Sequence, residues 1–223
     1  MTFPNAYHGV KKIFTAEILG LIGAVCLILG SLIGVLAVVS TVAGSEGGAA
    51  ASGIGTIIFL AAGAVLPIIG YIMNLVGLNQ ASKDDSNFRV AFMVAIISLI
   101  VLIVSAVFSV FNFGNGMADN IAKAFSIMAN IIVTVYVITG ISSLAEQLKK
   151  PEMVEMGRKI LIFIIVINGI IMVAEILPVF FGINVTVASI EGIMGVVSAV
   201  CQFIYYIVYL VFLGKAKAML QNN

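Results

Sequence analysis

Apolar residues along this chain run in long blocks that are broken only by short polar or glycine-rich stretches. Six such blocks cover residues 16–42, 54–78, 90–111, 121–144, 160–181 and 188–213. Every block exceeds 20 residues, and at a helical rise of about 1.5 Å per residue each is long enough to cross a hydrocarbon core of roughly 30 Å. Lipid supplies no hydrogen-bond partners, so a backbone segment inside it must satisfy its own donors and acceptors, which a helix does. The pattern predicts an all-α, polytopic integral membrane helical bundle of six transmembrane helices, arranged as three helical hairpins in a single membrane domain, with no soluble domain.

The breaks between the blocks support the same division. Residues 44–50 are Gly, Ala and Ser around Glu46, a flexible turn. Residues 82–89 carry Lys83, Asp84, Asp85 and Arg89 in a connection so short that the helices on either side must be antiparallel neighbours. Residues 112–116 are an Asn/Gly turn, and residues 146–152 combine charge with Pro151, which ends a span. Pro67 falls inside the second block, where its missing N–H and its ring must be accommodated by a bend or by a neighbouring helix.

Composition excludes a soluble domain. The chain of 223 residues is 62% hydrophobic and 9% charged, with a mean hydropathy of +1.23, where soluble proteins carry about 25% charged residues. A net charge of +1 gives no basic field for nucleic acid, so none is expected as a partner. Lys11 and Lys12 precede the first block as in a signal peptide, but that block is longer than a signal core of roughly 7–15 residues and leads into further spans.

Basic residues fix the expected orientation. Lys11, Lys12, Lys83, Arg89, Lys149, Lys150, Arg158, Lys159, Lys215 and Lys217 fall on one side of a six-span arrangement and Lys123 on the other. Cytoplasmic loops retain Lys and Arg, so both termini are expected in the cytoplasm and the protein in the cell membrane. Tyr71 with Gly77, Tyr136 with Gly140 and Tyr209 with Gly214 recur near the basic end of every second helix. Any three membrane hairpins would share this much, so an internal repeat is left open.

Candidate chemistry is sparse. A charge near the bilayer centre costs about 2.5–3.5 kcal/mol on insertion scales, so an intramembrane carboxylate calls for a reason. Glu175 is the clearest, with no Lys or Arg close to it in its block. Asn168 lies seven residues earlier on the same helical face, and with Gln202 of the sixth block these three residues form the candidate binding region. Glu17 and Glu191 sit near block ends, where a carboxylate complements a helix dipole. Asn74 and Asn130 are read as hydrogen-bonding links between helices. Gly30 and Gly34 form a GxxxG, and Gly192 with Gly195 a second small-residue face. One histidine, His8, and two widely spaced cysteines, Cys26 and Cys201, offer no metal-ligand cluster, and no sequence motif calls for a cofactor.

No nucleophile with a paired base is visible, so the expectation is not an enzyme. The readings that follow are a non-catalytic membrane partner or scaffold subunit, acting on the lipid bilayer with another membrane protein or as a homo-oligomer, or alternatively a small transporter or channel component that handles protons, cations or a small solute near Glu175.

Overall fold

The computed structural model describes the backbone of residues 2–42, 46–110, 117–181 and 185–222, and within these the side chains outside 37, 40–42, 46–53, 108–110, 117–124, 168–181, 185–199 and 202. Every described element is a helix: α1 (Pro4–Val42), α2 (Glu46–Ala81), α3 (Ser86–Val110), α4 (Met117–Gln147), α5 (Pro151–Phe181) and α6 (Val185–Gln221). Among the described residues there is no strand, and five helices, α1, α2, α3, α4 and α6, have stretches long and apolar enough to cross a membrane.

The helices pack as three hairpins, α1–α2, α3–α4 and α5–α6, of which the first shares by far the most extensive contact. Smaller contacts join α2 to α3 and α4 to α5, and α6 returns to α1. The six helices therefore follow one another around a closed ring in chain order.

Three helices reach well past the apolar blocks that predict them. α1 begins 12 residues before position 16, and α6 continues to Gln221. α5 begins at Pro151, a residue suited to a first helical position because its absent N–H would have no partner there. These extensions are amphipathic. Ala6, Val10, Ile13 and Ala16 of α1 are buried, as are Tyr209, Phe212, Leu213, Ala216, Met219 and Leu220 of α6, a spacing that places one face inward. All of these except Ala16 form one core with Leu78, Phe88, Ile138, Ile141, Leu144, Met153 and Ile160. That core lies at the end of the ring carrying the turns 82–85 and 148–150, the chain ends and the described basic residues. α1 alone is 39 residues long, roughly 58 Å at about 1.5 Å per residue. A hydrocarbon core of about 30 Å takes up little more than half of that, so α1 is longer than one crossing requires, and its basic end belongs to a packed helical cap.

Two adjacent carboxylates fasten this cap. Asp84 accepts hydrogen bonds from the Ala6 backbone N–H at 2.7 Å and the Asn5 side-chain amide at 2.9 Å, supplying the first turn of α1 with an acceptor from the α2–α3 turn. Asp85 caps its own helix, accepting from the Asn87 N–H at 2.8 Å. α4 ends in a Schellman motif: Lys150 N–H donates to the Ala145 carbonyl at 2.8 Å and Lys149 N–H to that of Glu146 at 3.0 Å. Lys149 adopts a φ of 55° there, the left-handed conformation that usually selects glycine.

The α1–α2 hairpin packs backbone to backbone through small residues. A Cβ on Gly77 would lie 2.8 Å from the Gly9 carbonyl oxygen, and one on Gly70 would lie 2.9 Å from that of Ala16. Gly23 leaves room for the Pro67 ring, which a Cβ would meet at 2.7 Å, so the proline is accommodated by a neighbour and α2 continues through it. Gly30 faces Phe59 and Leu60, and Gly34 faces Thr56. The GxxxG of α1 is thus used within the chain.

Candidate functional site

Helix ends and glycine seams bring polar side chains together at places the blocks alone do not reveal. Between α2, α3 and α4 lies a half-open cavity of about 380 Å³, lined on its polar side by Tyr71, Asn74, Ser98, Ser126 and Asn130. Leu75, Leu102, Ile127 and Val133 supply apolar walls. The lining comes from stretches of α2, α3 and α4 that are apolar enough to span a membrane.

Each polar group has a distinct role in this cavity. The Tyr71 hydroxyl donates to the Ala95 carbonyl oxygen at 2.8 Å, which spends its proton on a helix-to-helix link and leaves the oxygen as an acceptor. Ser98 is buried. Asn74 has its Oδ1 buried with no hydrogen-bond partner. The expectation that Asn74 ties helices together is therefore corrected for its carbonyl, which is buried without making such a link. Among the described residues that line it, the Tyr71 phenol alone is ionisable.

A second junction joins α6 to α1. The Tyr206 hydroxyl donates to the Glu17 backbone carbonyl, and Tyr205 stacks on Tyr209 at a centroid distance of 6.1 Å. Glu17 lies several turns inside α1 rather than at its start, so the dipole role expected of it is not the one the helix gives it. Tyr206 and Tyr71 make the same kind of link, each from the second helix of one hairpin to a backbone carbonyl in the first helix of the next. The glycine positions are less regular. Gly77 and Gly140 pack on the first helix of their own hairpin, against α1 and against Phe88, whereas Gly214 faces Phe14 of the neighbouring one.

At the basic end an open groove of about 740 Å³ is lined by Glu146, Lys149, Lys150, Pro151, Val154, Glu155 and Arg158. The groove is formed where the end of α4 meets the start of α5 at Pro151. Glu155 pairs with exposed Lys159 at 2.8 Å; the hydrogen bond from Lys159 and its charge hold the carboxyl below the usual glutamate range. Lys217 stands 5.1 Å from the centre of the Phe14 ring, within cation–π distance.

The sequence-based candidates fall elsewhere. Asn168 and Glu175 are on α5 and Gln202 is on α6, but their side chains and that of Glu191 lie outside the described residues, as do the surroundings of Gly192 and Gly195. Asn74 and Asn130, which the sequence offers as separate links, are brought into one cavity with Tyr71, Ser98 and Ser126. Cys26 and Cys201 are free thiols. Among the described residues no cluster of His, Cys, Asp and Glu could hold a metal. No family model, curated protein or solved structure matches this chain.

Proposed function

We propose that the chain is a non-catalytic, six-span protein of the cell membrane, with both termini in the cytoplasm, that serves as a partner or scaffold subunit for other membrane-embedded protein. Ten of its eleven Lys and Arg residues belong to one end of the bundle by their positions in the helices and turns, which supports an inward-facing basic end. α5, a 31-residue helix between two antiparallel neighbours, is the sixth span in this reading.

The observation that carries the proposal is the uneven distribution of packing. The cap at the basic end is a closed core, whereas in the most apolar stretches of α1 and α2 only 11% of residues are buried, and in that of α3 17%. Exposed Leu32, Val35, Leu36, Ile57, Ile58 and Ile68 turn the α1–α2 hairpin into a stiff apolar slab facing outward. Such a slab gives lateral helix docking a preformed surface, since packing rather than hydrophobicity drives association in lipid.

Purification of the tagged chain from its native membranes in mild detergent, with mass spectrometry of what remains bound, tests the reading. An integral membrane protein recovered in near-equal amount supports it. Recovery of the chain alone as a monomer removes it in favour of solute transport, to be followed by liposome flux with Glu175→Gln.

A further inference from the structure

We propose that the cavity between α2, α3 and α4 binds a neutral amphiphile that carries a hydroxyl or amide donor, with the chemistry of a monoacylglycerol. Five uncharged polar side chains meet there, Tyr71, Asn74, Ser98, Ser126 and Asn130, and among the described residues no Lys, Arg, Asp or Glu lines it. An ionic ligand would be stripped of water with no opposite charge to receive it, at a cost of several kcal/mol or more. A neutral one loses little and gains hydrogen bonds.

The polar groups ask for a donor. Asn74 Oδ1 is buried without a partner, and the Tyr71 hydroxyl has its proton committed to Ala95, so each has an unused lone pair, which the Tyr71 oxygen offers as it stands and Asn74 Oδ1 offers on a turn of its amide towards the cavity. Ser98, Ser126 and Asn130 can donate as well as accept, which suits a ligand with more than one hydroxyl. The walls of Leu75, Leu102, Ile127 and Val133 suit a hydrocarbon chain. A volume of about 380 Å³ corresponds to roughly a dozen waters at about 30 Å³ each, room for a small polar head and the beginning of a chain.

Position identifies the route of entry. The lining belongs to spanning stretches of the three helices, and its Leu102, Ile127 and Asn130 are exposed on the bundle surface. The cavity is therefore reached sideways, at membrane depth, by a molecule already dissolved in the bilayer.

The test uses the full chain in a mild detergent, titrated with monoolein and read by native mass spectrometry, with methyl oleate and oleate as same-chain ligands lacking the donor head or carrying charge. The expected result is a saturable one-to-one monoolein adduct at least about fivefold tighter than either control. A neutral hydrogen bond contributes about 0.5–1.5 kcal/mol net, or roughly twofold to twelvefold. Asn74→Leu should thus weaken monoolein by about fivefold while leaving methyl oleate unchanged. Ser98→Ala and the space-filling Ser126→Leu carry the same test should Asn74→Leu fail to fold: the first weakens monoolein selectively, and the second weakens both esters. The proposal is overturned by the absence of a saturable adduct, which would make the cavity a water site only, by equal binding of monoolein and methyl oleate, or by variants that fold yet bind monoolein as the parent does.

Discussion

Asp84 joins residues that are 78 positions apart in the chain, through a charge-assisted hydrogen bond to the Ala6 N–H and a second bond to the Asn5 side chain. Losing such a cap exposes an orphan donor and removes a favourable charge from the positive end of α1. Asp84→Ala is expected to destabilise the protein by about 1–2 kcal/mol, and Asp84→Asn by less because an acceptor oxygen remains; thermal unfolding in detergent checks both. Lys149 gives the opposite case. Its left-handed conformation costs an L-residue roughly 1 kcal/mol that glycine avoids, so Lys149→Gly should raise the midpoint of the same unfolding curve. Neither the role of Asp84 nor that of Asp85 was legible in the sequence: the apolar run begins only at residue 90, which leaves both aspartates in a charged connection, and nothing local distinguishes an aspartate that caps its own helix from one that caps another helix 78 residues away.

Among the elements, the α1–α2 hairpin shows a signal that the apolar blocks conceal. Gly9, Ala16, Gly23 and Gly30 recur every seven residues, and Gly63, Gly70 and Gly77 answer at the same interval on α2. A seven-residue repeat keeps one seam facing a partner helix along its whole length, and small residues in that seam let the backbones touch. Gly77→Ala would force its Cβ to within 2.8 Å of a carbonyl and 2.9 Å of Ile13, and is expected to cost about 1–3 kcal/mol. Gly20→Ala has its nearest neighbour at 3.7 Å and should be neutral or stabilising, given the higher helix propensity of Ala. Comparing the two variants in one unfolding assay separates close packing from a general effect of glycine. The GxxxG at Gly30 and Gly34 caught part of this seam. Hydropathy alone halted α1 at residue 16, because the charged turn Lys11–Lys12 interrupts the apolar run; the helical spacing of Ala6, Val10 and Ile13 was the signal that carries the helix further.

For the whole molecule, six helical segments, their hairpin pairing and the basic end were readable from block lengths and charge, since both follow from how lipid treats single segments. The cavity was not, because its lining comes from Tyr71 to Val133 on three helices and no spacing within one helix encodes which faces meet. Orientation yields a separate prediction. In a background with Cys26 and Cys201 replaced, single cysteines introduced at positions 44–52 should react with an impermeant thiol reagent added to intact cells, whereas those at 82–87 should react only after permeabilisation. The reverse pattern would place the basic end outside.

The contact of α6 with α1 also sets an order of events during synthesis. The first turn of α1 waits for its carboxylate until residue 84 has left the ribosome, and the Phe14 and Glu17 face of α1 meets Tyr206, Gly214 and Lys217 only when the last helix is made. At about 5–20 residues per second, the remaining chain takes several seconds or more to arrive. Until then α1 lacks the α6 face that it packs against in the closed ring.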